Sequence, residues 1–167
     1  MIRTATALLL AVLLLAGCGF QLRSALSLPP DLGPIQVEGQ GRYSPLADSL
    51  SLALRRAGAT VVEGRGGDED VARLRILSER WGSLPISIDA RGRAQEYTLR
   101  YAVVFELVRA DGQELVPQQA VELARDYIQS PTDLTGADSE RELLTREMQR
   151  DMVASILRRI DGASRQQ

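Results

Sequence analysis

Strict alternation of apolar and polar side chains near the middle of the chain constrains the fold more than any other feature. Every second position from 97 to 107 is apolar, the series being Tyr97, Leu99, Tyr101, Val103, Phe105 and Leu107. Polar or charged residues such as Glu96, Thr98, Arg100 and Glu106 lie between them. Because successive side chains of a strand point to opposite faces, this period of two predicts a half-buried β-strand.

Two more long strands are expected, one before and one after this run. The earlier one has apolar residues of a single parity, namely Ala72, Leu74, Ile76, Leu84, Ile86 and Ile88. We expect it to be one strand with a break near Gly82. Asp111 and Gly112 predict a tight hairpin turn, after which Glu114 to Ile128 returns as the third long strand.

Two helices and a short strand complete the pattern. Ile35–Glu38 alternates and predicts a short strand, and Thr60-Val61-Val62 could extend a strand. Ser44 and Pro45 are typical of an N-cap and first helical position, and Gly58 closes the helix that follows. Ser139 and Glu142 predict a capping box. An apolar stripe then runs along a second helix that ends before Gly162, formed by Leu144, Met148, Met152, Ser155, Ile156 and Ile160.

The predicted order of elements is therefore β-α-β-β-β-α. Three consecutive long strands favour an antiparallel meander, and two amphipathic helices must bury their stripes against a common face of it. We expect an α+β fold, a two-layer sandwich with two helices packed on one face of a mainly antiparallel four-stranded sheet. Residues 35–162 are predicted to form this single domain, residues 18–34 a tether rich in proline, and residues 163–167 a disordered tail.

The N-terminus predicts export and acylation. Arg3 precedes an apolar stretch from Ala5 to Ala16, which is too short to span a membrane and fits a removable signal peptide of residues 1–17. Leu15-Ala16-Gly17 stands directly before Cys18, the only cysteine, and resembles a lipobox. Acyl chains on Cys18 would anchor the mature chain to a membrane. Gly19, rather than Asp, at the next position favours the outer membrane.

Composition excludes several classes of function. The chain contains no Lys, His or Asn, so His-based catalytic triads and His-containing zinc sites cannot form within it. A formal net charge of -2 and only seven aromatic residues argue against a nucleic-acid partner. No cofactor or metal site is indicated. Asp89, Glu96, Glu106 and Asp126 could pair as acid and base, but acids on a strand surface usually mean only a solvated face, and we expect no enzyme.

With these elements placed, the chain resembles the LptE family of lipopolysaccharide (LPS)-assembly lipoproteins over nearly its whole length. The resemblance rests on three segments in the right order and spacing, and none of them is a catalytic signature. They are Cys18-Gly19-Phe20-Gln21-Leu22-Arg23, Arg91-Gly92-Arg93-Ala94-Gln95-Glu96-Tyr97 and Glu147-Met148-Gln149-Arg150-Asp151-Met152.

This resemblance implies a partner rather than a reaction. The family plugs the β-barrel protein LptD inside the outer membrane, and the two proteins together place LPS in the outer leaflet. The family also binds LPS through basic residues, for which Arg91 and Arg93 are the candidates here because a glycine-containing turn projects them from the sheet. Residues 130–136 contain no basic residue, which argues against a second contact there.

Two alternatives remain open from the sequence. The same small domain would suit a lipid-anchored auxiliary subunit of an envelope transporter complex. Arg91 and Arg93 would also be unremarkable as solvated turn residues.

Overall fold

The computed structural model describes residues 29, 32–41, 43–63, 70–129 and 134–165. In chain order the elements are β1 (Ile35–Glu38), α1 (Pro45–Arg56), β2 (Val61–Val62), β3 (Ala72–Ile88), β4 (Ala94–Val108), β5 (Glu114–Ile128) and α2 (Leu134–Ser164). The predicted signal peptide, Cys18 and most of the predicted tether lie outside the described residues.

One mixed sheet carries all five strands, in the order β2-β1-β3-β4-β5. Strand β1 is parallel to both β2 and β3, whereas β3, β4 and β5 form the predicted antiparallel meander. The α+β fold with two helices against a sheet is confirmed, but the predicted count of four strands is wrong by one. Val61 and Val62 pair with Ile35 and Gln36 and form a separate edge strand.

The core lies between this sheet and the two helices. Helix α1 contributes Leu46, Leu50 and Leu54, and helix α2 contributes Met148, Met152, Ile156 and Ile160, all of them fully buried. The odd-numbered residues of β4 from Leu99 to Leu107 are buried as well, so the predicted phase of this strand is confirmed. No helix of the described part is long and apolar enough to cross a membrane.

Helix α1 begins and ends where the sequence predicts. The hydroxyl oxygen of Ser44 accepts a hydrogen bond from the Ala47 N–H at 3.2 Å, and Pro45 occupies the first helical position. At the other end Gly58 has a φ of +91°, and its N–H donates to the Arg55 carbonyl at 3.0 Å. A left-handed glycine just past the last turn is a common helix stop.

Helix α2 is longer than predicted at both ends. It begins at Leu134, so Ser139 lies inside the helix and is not its N-cap. It also runs through Gly162 to Ser164, so residues 163 and 164 belong to the helix rather than to a tail. A helical glycine costs about 1 kcal/mol relative to alanine. Ala163 still packs against the core beyond it, and this burial offsets the cost.

Strand β3 is continuous, but its two halves have opposite phase. Gly82 pairs with Arg100 inside an unbroken strand, so the predicted break is wrong. The register shifts between Ile76 and Ser78, which makes Leu77 the extra residue of a β-bulge. One inserted residue moves the side chains that follow it to the other face, here up to the further register shifts between Pro85 and Ile88. The predicted continuation of the apolar parity is therefore wrong, and Leu84 pairs with Thr98 on the face away from the helices.

The sheet is narrower at one end. Strand β1 borders β3 only from Ala72 to Arg75. We call Ser78–Ile88 the upper segment of β3. Among the described residues it pairs with β4 alone, and it leads directly into the turn that carries Arg91 and Arg93.

Candidate functional site

The turn between β3 and β4 is a three-residue hairpin loop. The Asp89 N–H donates to the Arg93 carbonyl at 2.8 Å, and the Gly92 N–H donates to the Asp89 carbonyl at 2.9 Å. Gly92 has a φ of +76°, the left-handed conformation that this type of loop requires at its third position. Glycine adopts it without the steric cost that a Cβ atom would bring. The turn therefore projects from the end of the sheet as the sequence predicts.

Asp89 organises this turn with both carboxylate oxygens. Its Oδ1 accepts the backbone N–H of Arg91 at 2.8 Å and that of Arg93 at 2.9 Å. Its Oδ2 accepts the Nε–H of Arg93 at 2.8 Å and forms an ion pair with the same guanidinium. The Arg93 backbone N–H is the main cause that lowers the pKa of Asp89 below its ordinary value, and it outweighs a smaller, opposing effect of desolvation.

Arg91 and Arg93 therefore differ in what they offer a ligand. The Arg93 guanidinium is held against Asp89, and much of its charge is balanced there. The Arg91 side chain is exposed, and within the described residues its guanidinium has neither an acidic partner nor a hydrogen-bond acceptor. Sequence reasoning treated the two as equivalent. The missed signal is the aspartate directly before the turn, since such a side chain commonly caps the backbone N–H groups that follow it.

The second hairpin turn, between β4 and β5, carries an acidic residue at its tip where the first turn carries Arg91. It has the same geometry, with Arg109 N–H donating to the Gln113 carbonyl at 2.8 Å and Gly112 at a φ of +85°. Its tip carries Asp111, whose carboxylate accepts the Gln113 N–H at 2.9 Å. Successive turns of a meander lie at opposite ends, so of the two described hairpin turns the one with Arg91 presents a free guanidinium at its tip.

Aliphatic side chains surround the arginine-bearing turn. Ile88 directly precedes Asp89 and is 68% exposed, and Ile86 is 53% exposed. Ile128, which is 62% exposed, pairs with Glu96 just after the turn. An exposed cation beside exposed aliphatic groups suits an amphiphile with an anionic head and an apolar tail.

Three of the four acids that the sequence raised as possible catalytic pairs, all except Glu96, have separate structural contacts. Asp89 accepts the hydrogen bonds that hold the turn, and Glu106 forms an ion pair with Arg75. Asp126 accepts the Thr98 hydroxyl at 2.6 Å. No group of three or more Asp, Glu, Cys or His side chains in the described part of the chain is arranged to hold a metal ion.

Comparison with known proteins gives a family match across the domain. The family model for LptE, described as lipopolysaccharide-assembly, matches residues 32–160. An LPS-assembly lipoprotein LptE from Photorhabdus laumondii is 30% identical over 151 residues, which cover 90% of this chain and 81% of that protein. The protein of the same name from Yersinia pestis is 31% identical, covering 90% of this chain and 72% of that protein.

Solved structures with the same fold are also lipoproteins by name. An uncharacterized lipoprotein B from Nitrosomonas europaea superimposes with a TM-score of 0.68 at 26% identity, covering 84% of this chain and 88% of that one. The rare lipoprotein B from Shewanella oneidensis gives a TM-score of 0.64 at 25% identity, covering 75% and 92% respectively.

Proposed function

The chain belongs to the LptE family, and we propose that it is an outer-membrane lipoprotein that takes part in lipopolysaccharide assembly. The observation that carries this proposal is the family match over residues 32–160, which includes every strand and most of both helices. The family is an LPS-assembly family and not a known enzyme family, so the expected activity is binding and placement rather than a reaction.

We further propose that the chain acts with LptD, as a plug inside that barrel, and is held there by acyl chains on Cys18. The resemblance of the sequence to the family supports the partnership, and the lipobox before Cys18 supports the anchor. Co-purification tests the partnership. Chain extracted from outer membranes is expected to bring down LptD. Recovery of transporter components without LptD would instead favour the auxiliary-subunit alternative.

Within this function, Arg91 is proposed to contact an anionic group of LPS, with Ile128 beside an acyl chain. The free guanidinium and this exposed aliphatic side chain support the contact. Arg93 would act indirectly, because its ion pair with Asp89 holds the turn that presents Arg91.

The test is LPS affinity of unacylated chain at two ionic strengths. Losing one charge-assisted hydrogen bond on an exposed side chain corresponds to about 1.5 kcal/mol, or roughly tenfold in affinity. We expect Arg91→Gln to lose about that much and to show a weaker salt dependence. Arg158→Gln, an exposed arginine on α2, is the matched control. Equal affinities for parent and Arg91→Gln would remove this turn from the LPS site.

A further inference from the structure

Five of the eight arginines on the long strands and their two hairpin turns have an acidic partner. The pairs are Arg73 with Glu38, Arg75 with Glu106, Arg93 with Asp89, Arg100 with Glu122 and Arg125 with Asp151. Arg109 is also engaged. Within the described residues this leaves Arg91 at the turn and Arg80 in the middle of β3. Arg80 is not explained by the turn or by the proposed LPS contact.

Arg80 lies on the face of the sheet that the helices leave uncovered, because it pairs with Ala102. The surface around it is a shallow depression of about 490 Å³ with small or apolar side chains, lined by Leu77, Ser78, Arg80, Ala102, Val104 and Gln118. No carboxylate is among the described residues that line this depression. An exposed charge that has no partner among the described residues can pair with a group of opposite charge on another molecule.

The strand that carries Arg80 has an open edge. Beyond Arg75, no strand within the described ranges pairs with β3 on the side opposite β4. The Gln40 side chain donates a hydrogen bond to the Leu77 carbonyl at 2.7 Å, so the backbone carbonyl at the start of this edge already has a partner. From Ser78 onward, no strand of the described residues occupies that side, so its backbone groups can pair with a neighbouring chain.

The side chains of this edge are also apolar to an unusual degree. Of the nine large apolar residues exposed in the described part of the chain, five lie on β3, namely Leu77, Trp81, Leu84, Ile86 and Ile88. Native proteins commonly protect an edge with charges or proline, and the upper segment carries Glu79, Arg80 and Pro85. Glu79 accepts the Tyr101 hydroxyl, so Arg80 and Pro85 are the residues of this kind that lie beside the exposed apolar side chains. An apolar edge with free backbone groups is the surface that accepts an added strand.

We propose that the upper segment of β3, Ser78–Ile88, is a docking edge for an extended strand of a partner protein, and that a carboxylate of that strand pairs with Arg80. Charge complementarity selects this occupant. A lipid chain would cover the apolar groups but would leave the backbone N–H groups unpaired. A second copy offers no carboxylate from the same edge, because its only acid, Glu79, accepts the Tyr101 hydroxyl at 2.7 Å.

The inference rests on the proposed function, since the partner strand is taken to belong to LptD. It adds the surface through which the two proteins meet. It also separates two tasks on one hairpin, with the turn at Arg91 facing LPS and the edge below it facing protein.

The experiment uses the full acylated chain co-expressed with LptD in outer membranes. A photo-crosslinking amino acid is placed at Ser83 or Ser87 on the upper segment, or at Glu122 or Ala124 on β5, the opposite edge of the sheet. We expect adducts with LptD from the β3 positions and at least tenfold fewer from β5. Arg80→Glu should reduce the β3 adducts by tenfold or more, whereas Arg158→Glu should leave them unchanged.

Hydrogen exchange provides a second readout that does not depend on the variants. Amides of residues 78–88 should become protected in the complex, while those of residues 114–128 keep the exchange of the free chain. Failure of the parent chain to co-purify with LptD would remove the partnership and the docking edge together. Co-purification with adducts only from β5, or with β3 adducts to lipid instead of protein, would overturn the docking edge and leave the partnership standing.

Discussion

Asp89 shows how one side chain can give two neighbouring arginines different roles, with Arg93 held in the turn and Arg91 left for the proposed contact with LPS. Its carboxylate takes hydrogen bonds from the Arg91 and Arg93 backbone and from the Arg93 side chain. These bonds hold the loop in one conformation and balance much of the charge of Arg93, while the Arg91 guanidinium remains exposed. At this scale, the proposed role of the turn depends on a residue that is not itself expected to touch a ligand.

The stability that Asp89 provides should depend on pH. Hydrogen bonds from Arg93 lower its pKa in the folded chain, so its contribution is present above the ordinary aspartate pKa of about 3.9 and is lost as the pH falls through the folded value. We expect thermal melts of the parent and Asp89→Asn to differ at neutral pH and to converge in strong acid. A difference that does not change with pH would contradict an ionised Asp89 in this role.

A close approach between Gly39 and the cap of α1 leads to a second prediction. A Cβ atom on Gly39 would lie 2.4 Å from Ser44 Cβ and 2.7 Å from its hydroxyl oxygen. Gly39→Ala should therefore displace the cap and cost about 1 kcal/mol or more of unfolding free energy. Gly41→Ala is the control, because nothing lies within 4 Å of its added Cβ. Equal denaturation midpoints for the two variants would contradict the contact.

Cys18 lies outside the described residues, and its acylation stays a prediction. We expect Cys18→Ala to abolish incorporation of a palmitate analogue and stable membrane attachment, because the chain has no other cysteine. Metabolic labelling and membrane fractionation measure both effects. Label retained in the variant would show that the lipid is attached elsewhere.

At the scale of elements, β4 was predictable and β3 only in part, for a physical reason. Strand β4 pairs regularly with β3 and β5 across most of its length, and its alternation from Tyr97 to Leu107 is therefore uninterrupted. In β3 the inserted residue Leu77 reverses the phase, and Leu84 then resembles a core residue in sequence although it is exposed. A bulge is a property of two paired strands, so a single strand's pattern does not reveal it.

The helices and the candidate site were likewise predictable only where local sequence determines the structure. The cap of α1 uses local contacts and was predicted correctly, whereas α2 begins before the capping-box pattern at Ser139. The turn with Arg91 and Arg93 was located from its glycine. The difference between the two arginines follows from side-chain geometry around Asp89.

The phase of β4 leads to a prediction about stability. Phe105 is fully buried between the sheet and the helices, so Phe105→Ala should cost about 3 to 5 kcal/mol. Arg100 lies on the opposite face, where it pairs with Glu122 at 2.5 Å, and both side chains are about half exposed. Arg100→Ala should cost less than about 1 kcal/mol. Chemical denaturation of both variants measures the two values, and similar losses would contradict the assigned faces.

At the scale of the whole molecule, the two surfaces of the sheet have different tasks. The helices bury one face, and the other is left to ion pairs, small side chains and the upper segment of β3. This arrangement is compatible with the two proposed contacts, one with a partner protein along β3 and one with LPS at the turn that carries Arg91.

The position of β1 in the sheet has a consequence for how the chain acquires its fold. Strand β1 comes first in the sequence but lies between β2 and β3 in the sheet. Its residue Ile35 pairs with Ala72, which is as much as 37 residues further along the chain. Contacts between distant positions form slowly because a long loop must close first, whereas the meander from β3 to β5 needs only short turns. We therefore expect the meander from β3 to β5 to form first and to act as the folding nucleus. If the chain is secreted N-terminus first, β1 is among the earliest strands to emerge and among the last to find its place.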